Sequence, residues 1–172
     1  ETMKQVDNTS VAFQRRLETL IRSGGEKIVF IKTNEWLRAV RLVSSLAETF
    51  TPNRLDKNPL DYAKGLVSWD LIKGVQDEKG TIVFPGKPPG AGTSSLSLCV
   101  DEFTNPESKT LVGYNFMTVL WPHALMKDNP AMLQVIENAR HAMIMERVVG
   151  GKAQNINKRM FMIVPTEFQL PR

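Results

Sequence analysis

Cysteine is almost absent from this sequence: Cys99 stands alone among 172 residues. A lone thiol excludes an internal disulfide, and a chain of this length needs no staple to bury a core. The expected setting is a reducing, cytoplasmic one. Histidine is nearly as scarce, with only His123 and His141. With one cysteine and no carboxylates at ligand spacing, neither suggests a metal centre, and neither sits beside a nucleophile pattern that a catalytic base would serve. Long apolar runs are also missing. Nothing approaches the roughly 18 residues of a membrane span, and the opening Glu1-Thr2-Met3-Lys4 is not a signal peptide, so no membrane partner is expected. Neither sign of charge dominates, the formal net charge being +4. No internal repeat and no second domain are visible.

What is present is organised around residues 27–50. Lys27-Ile28-Val29-Phe30-Ile31-Lys32 is a short, β-branched run that reads as one buried strand. Thr33-Asn34-Glu35 follows as a helix start, with a capping side chain and an acid. Trp36, Val40, Val43, Ala47 and Phe50 then recur at spacings of three and four, the buried face of a helix. A buried strand feeding an amphipathic helix is the unit of parallel α/β sheets.

The rest of the chain extends the pattern. Val11, Phe13, Leu17, Leu20 and Ile21 predict a first helix stopped at Gly24-Gly25, after a frayed stretch over residues 1–7. Residues 51–64 read as a surface loop. Gly65-Leu66-Val67-Ser68-Trp69 predicts a second strand, with residues 70–75 leading away from its end. Thr81-Ile82-Val83-Phe84 is a small extra strand, and Leu96, Val100 and Phe103 predict a short helix over 94–103. A third strand is expected over 110–116, with a helical turn at Val119-Leu120-Trp121-Pro122. Asn129-Pro130 opens a helix to about Arg147 that buries Met132, Val135, Ile136, Ala139, Met143 and Ile144. Residues 148–157 form a basic loop, and 159–164 the fourth strand. Trp36 and Trp69 are expected inside the layers, Trp121 partly exposed.

Two stretches imitate nucleotide chemistry. Pro88-Pro89-Gly90-Ala91-Gly92-Thr93-Ser94 resembles a phosphate-binding loop, and Leu98-Cys99-Val100-Asp101-Glu102 a magnesium-binding strand. A working loop needs Lys after its last glycine, where Thr93 stands, and then Ser or Thr for magnesium. A helix and a strand must also separate the two motifs, which are too close here. Gly90, Gly92 and Thr93 therefore read as part of an exposed, mobile Pro/Gly loop over residues 85–93, and Ser94 as the start of the short helix after it. The basic residues Lys152, Lys158 and Arg159, with Arg15, Arg16 and Arg22, lack the interleaved aromatics of a nucleic-acid platform.

Several short features together resemble one family. Leu17-x-x-Leu20-Ile21 precedes a strand followed by Thr33-x-Glu35-x-x-Arg38. Val67-Ser68-Trp69-Asp70 is followed after three residues by Gly74-Val75. The last strand, from Lys158, runs into Pro165 and Leu170-Pro171. In this order, across residues 15–75 and 109–171, they resemble the N-terminal domain of an AAA ATPase family of cyanobacteria, chloroplast genomes and bacteriophages. The chain departs from that family at Ser23-Gly24-Gly25-Glu26 and Tyr114-Asn115-Phe116, and its 76–108 and 148–157 connections are longer.

The fold expected is α/β: a three-layer, mainly parallel sheet of about four or five strands with helices on both faces, like a nucleotide-binding core without its phosphate loop. The resemblance implies a non-catalytic domain that positions, oligomerises or recruits a protein substrate or adaptor for a C-terminal AAA module. That module would bind ATP and magnesium, and the whole would form a homo-oligomer. The competing readings are a divergent nucleotide-binding domain using residues 86–94 and a nucleic-acid-binding module using the basic loops. No residue is assigned a catalytic role. The partner surface is expected at the carboxyl ends of the strands, around residues 33–35, 70–73 and 115–121, with Glu35, Arg38, Asp70, Lys73 and Trp121 as its candidates.

Overall fold

Helical spacing and strand alternation produce two apolar surfaces that close on one sheet from opposite sides. The computed structural model describes residues 12–21, 27–50, 65–105, 107–111, 113–127, 129–144, 147–149, 152–154 and 158–169. In chain order the elements are α1 (12–21), β1 (Ile28–Lys32), α2 (Trp36–Phe50), β2 (Gly65–Asp70), β3 (Gly74–Asp77) and β4 (Ile82–Phe84). Then come α3 (Leu96–Thr104), β5 (Tyr114–Leu120), α4 (His123–Met126), α5 (Pro130–Ile144), the β6 (Arg147–Val149) and β7 (Lys152–Gln154) hairpin, and β8 (Arg159–Val164). The expectations for residues 1–7, Val11, Gly24-Gly25 and 51–64, and for the side chain of Phe50, lie outside the described residues.

The six-stranded sheet runs β1-β8-β5-β2-β3-β4. Its first four strands are parallel, and β3 and β4 extend it antiparallel. The α/β class and the mostly parallel sheet are as expected. The sixth strand, β3, was not. Asp70 Oδ1 accepts from the N–H groups of Ile72 (2.9 Å) and Lys73 (2.7 Å), a side-chain-built turn that sends the chain straight back beside β2. Gly74, at φ 79°, completes it; a Cβ there would lie 2.3 Å from Pro85 O.

One face carries α1 and α2, with Leu17, Ile21, Ala39, Val43, Leu46 and Ala47 over Leu66, Phe116, Phe161 and Ile163. The other carries α3 and α5, with Leu96, Val100, Phe103, Ile136, Ala139 and Met143 over Val67, Trp69, Met117, Val119, Met160 and Met162. β5 and β8, covered on both sides, are buried nearly throughout, as interior parallel strands should be.

Five expectations need correction. β1 lies at the edge of the sheet, paired only with β8, and is half-buried rather than buried. Trp36 is 40% exposed, because the first turn of α2 projects past the sheet and the packed face begins at Ala39. The third strand is Tyr114–Leu120, so Val119 and Leu120 belong to it and the helical turn starts at His123. Ile144, the last residue of α5, is exposed. The basic stretch read as a loop contains the β6–β7 hairpin. Trp69, at 1% exposure, and the buried positions of α3 are where they were expected.

Candidate functional site

The four parallel strands end together, and their register sets what lies side by side beyond them. Lys32 pairs with Val164, Ile163 with Leu120, and Val119 with Trp69. Leu71 is the first residue past β2 and Trp121 the first past the neighbouring strand β5. Trp121 thus leaves the sheet one strand away from the β2–β3 turn, whose tip is Leu71 and Ile72.

Trp121 is the one non-glycine residue at positive φ among the described residues, at 55°. A bulky side chain there is a genuine outlier, costing about 1–3 kcal/mol, and such strain persists only where the surroundings enforce it. The Trp121 N–H donates to Ile163 O at 3.0 Å, and Pro122 then starts α4. The half-buried indole meets His123 edge-on at 5.6 Å; His123 meets Phe168 at 6.3 Å, and Phe168 stacks on Phe30 at 6.0 Å. His123 Nδ1 is buried without a hydrogen-bond partner.

This aromatic string and a polar bridge lie at the end of the sheet where an open α/β fold ordinarily seats a ligand. The connection after β1 packs on one face and that after β5 on the other, so the strand order reverses at β8. At that point Asn34 Nδ2 donates to Thr166 Oγ1 at 3.1 Å, and the Thr166 N–H returns to Asn34 Oδ1 at 3.4 Å.

The five expected surface residues fall into separate groups. Glu35 caps α2, its carbonyl accepting from Ala39 N, and Arg38 pairs with it at 3.3 Å. Both are exposed, so the pair contributes little. Asp70 is occupied as a turn former; its Oδ2 accepts from Gln76 Nε2 at 2.6 Å. Lys73 is exposed at the same turn, and Trp121 stands two strands from β1. Leu71 and Ile72 fall inside the expected 70–73 stretch, but the sequence reading did not single them out. Four of the seven large apolar side chains exposed among the described residues, Trp36, Leu37, Leu71 and Ile72, lie at this end, Ile72 being 60% exposed. The signal was available: two adjacent aliphatics at the tip of an Asp-initiated, glycine-closed turn break the rule that such tips are polar.

The Pro/Gly loop does not fit a nucleotide. It follows β4, an antiparallel edge strand, rather than an interior parallel one. Ser94, where magnesium would be held, is buried: its Oγ accepts from Trp69 Nε1 at 3.1 Å and lies 3.5 Å from Cys99 Sγ. Gly90, Gly92 and Thr93 are exposed. The loop is anchored at both ends: Ser94 N donates to Leu71 O, Lys87 Nζ to Ile72 O at 2.8 Å, and Ser95 N to Gly86 O. Asp101 and Glu102 lie on α3, not on a strand, and Glu102 Oε1 accepts from Ser108 and Thr110 hydroxyls.

Two of the basic candidates point inward at the opposite end of the sheet. Lys158 and Arg159 are 6% and 5% exposed. Lys158 Nζ donates to Phe103 O and to Leu111 O (2.9 Å), over the Phe103 ring at 4.3 Å. Burial pushes its ammonium down to about 7, against the pull of Glu102. Arg159 Nη2 donates to Ile21 O at 2.8 Å, tying α1 to β8. Neither is available to a phosphate backbone. Among the described residues there is no cluster of three or more metal-ligating side chains and no helix long and apolar enough to cross a membrane. No protein-family profile, curated protein or solved structure matches this chain.

Proposed function

We propose that this domain is non-catalytic and docks proteins at the carboxyl ends of its parallel strands. It positions or recruits a substrate or adaptor for the AAA module of the family it resembles, where ATP and magnesium would be bound and the oligomer formed. Its core would then be a nucleotide-binding type without the phosphate loop. One observation carries the reading: Trp121 is held at φ 55° just past the end of the central strand β5, half-buried and one strand away from the exposed apolar turn Leu71–Ile72 that follows β2. Strain maintained at a residue that could relax into solvent indicates that its placement is used, and large aromatics contribute disproportionately to interfaces. The bridge across the carboxyl edge and the unsuited loop support the non-catalytic half.

The test is made in the protein that carries the ATPase module, with Trp121→Ala. Loss of assembly or of coupled ATP turnover, with a melting temperature within about 3 °C of the parent, is the expected result. Unchanged assembly and turnover would reduce this edge to scaffold. Absence of an intact phosphate-binding loop, with Lys after its last glycine, from the rest of the gene would remove the AAA assignment while leaving the docking surface to be tested by itself.

A further inference from the structure

The carboxyl edge has a sign as well as a shape. Beside the strip formed by Leu71, Ile72 and Trp121 stand Lys73 and Lys87. Lys73 adjoins Ile72, and Lys87 Nζ donates to Ile72 O at 2.8 Å. The carboxylate beside the strip is Asp70, and both its oxygens are engaged, by the N–H groups of Ile72 and Lys73 and by Gln76. Glu35 is paired with Arg38, and Glu167 follows β8 next to Phe168, whose ring meets His123. Among the described residues the strip is thus apolar at its centre and cationic on the side of Lys73 and Lys87.

We propose that this strip binds an acidic protein segment, one or two aliphatic or aromatic anchors flanked by Asp or Glu, the anchors seating on Leu71, Ile72 and Trp121 and the carboxylates reaching Lys73 and Lys87. The inference rests on the carboxyl edge being a partner surface and adds the chemistry of the partner. A second copy of the chain is disfavoured at this place, because a two-fold contact sets the same lysines against themselves. Nucleic acid satisfies the lysines and wastes the strip, since aliphatic Leu71 and Ile72 offer no face for base stacking.

The experiment titrates the intact chain, followed by tryptophan fluorescence and amide NMR shifts, with a synthetic ten-residue peptide of Glu and Asp around one Leu and one Phe. Its charge-reversed Lys counterpart, an uncharged Ser counterpart and an oligothymidylate are run in parallel. Expected is saturable binding of the acidic peptide that shifts the Leu71–Lys73 and Trp121 amides and weakens as salt is raised. It should fall about tenfold in Ile72→Ser and several-fold in Lys73→Glu. Both variants alter exposed side chains, so their melting temperatures serve as the folding control. Equal binding of the Lys or Ser peptide, preference for the oligonucleotide, concentration-dependent self-association through these amides, no binding of any probe, or insensitivity to Ile72→Ser would each overturn the proposal. If the Ser peptide binds and Ile72→Ser abolishes it, the acidic class fails and the docking edge stands. If no probe binds and Trp121→Ala also leaves assembly and turnover intact, both fail.

Discussion

Lys158 shows how much a single buried charge can govern. Its ammonium is removed from water between α3 and the start of β8, and two carbonyls and an aromatic face are what it receives in return. Burial holds it at about 7 in the folded chain, whereas the unfolded chain keeps its lysines protonated to about 10. Between about pH 7 and 9 the unfolded state therefore binds a proton that the folded state has released, and stability must rise with pH, by at most about 1.4 kcal/mol per unit. Lys27, also lowered by burial, acts in the same direction. Above that window the raised Cys99 thiol and Tyr114 phenol oppose it. Lys158→Met should flatten the rise, whatever constant offset the substitution introduces. Urea midpoints of both chains from pH 6.5 to 9 are the measurement, and parallel slopes would show that Lys158 does not titrate there. Nothing in the sequence distinguished this lysine from Lys152; burial became visible only when β8 was seen to start beneath α3.

At the scale of elements, the sequence disclosed types better than faces. All four parallel strands were found, and the face that spacing predicts for helix α2 holds at Val43 and Ala47 but not at Trp36. The sheet accepts Ala39 and Leu46 beside them, while Trp36 and Leu37 in the first turn are exposed. Leu46→Ala should therefore cost about 2–5 kcal/mol and Trp36→Ala less than about 1 kcal/mol, by urea denaturation. The reverse ranking would restore the original face. The loop over residues 85–93 was read from composition as mobile throughout, and composition cannot show anchoring. A Cβ on Gly86, at φ 63°, would come within 2.4 Å of Cys99 Sγ and 2.9 Å of Ser94 Oγ, while nothing lies within 4 Å of Gly92. Gly86→Ala should cost about 2–4 kcal/mol from backbone strain and overpacking. Gly92→Ala should stay within about 0.5 kcal/mol. Similar losses in the two would mean the loop tip packs as tightly as its root. The docking strip was half legible: register and strand ends led to Trp121 and Asp70, but Asp70 proved to be the turn former, and the apolar tip it creates was passed over.

For the molecule as a whole, the open question is whether an α/β sheet of this kind keeps any nucleotide chemistry. Binding ATP requires backbone N–H groups presented by a glycine loop between an interior parallel strand and a helix, a lysine on the β- and γ-phosphates, and a carboxylate for magnesium. Here the glycine loop leaves an antiparallel edge strand, Thr93 stands in the lysine's place, Ser94 is spent on Trp69, and Asp101 sits on an exposed helical face. The carboxyl edge of the sheet, the other place a nucleotide would go, is bridged by Asn34 and Thr166 and carries Phe168, His123 and Trp121. Calorimetric titration of this chain with ATP and magnesium should therefore give no saturable heat in the low micromolar range, which corresponds to about 8 kcal/mol of binding. Heat at that level, abolished by Gly92→Ala, would place a nucleotide on the Pro/Gly loop after all. Heat that survives Gly92→Ala but is lost in Asn34→Ala would place it at the carboxyl edge, and either outcome would end the non-catalytic reading.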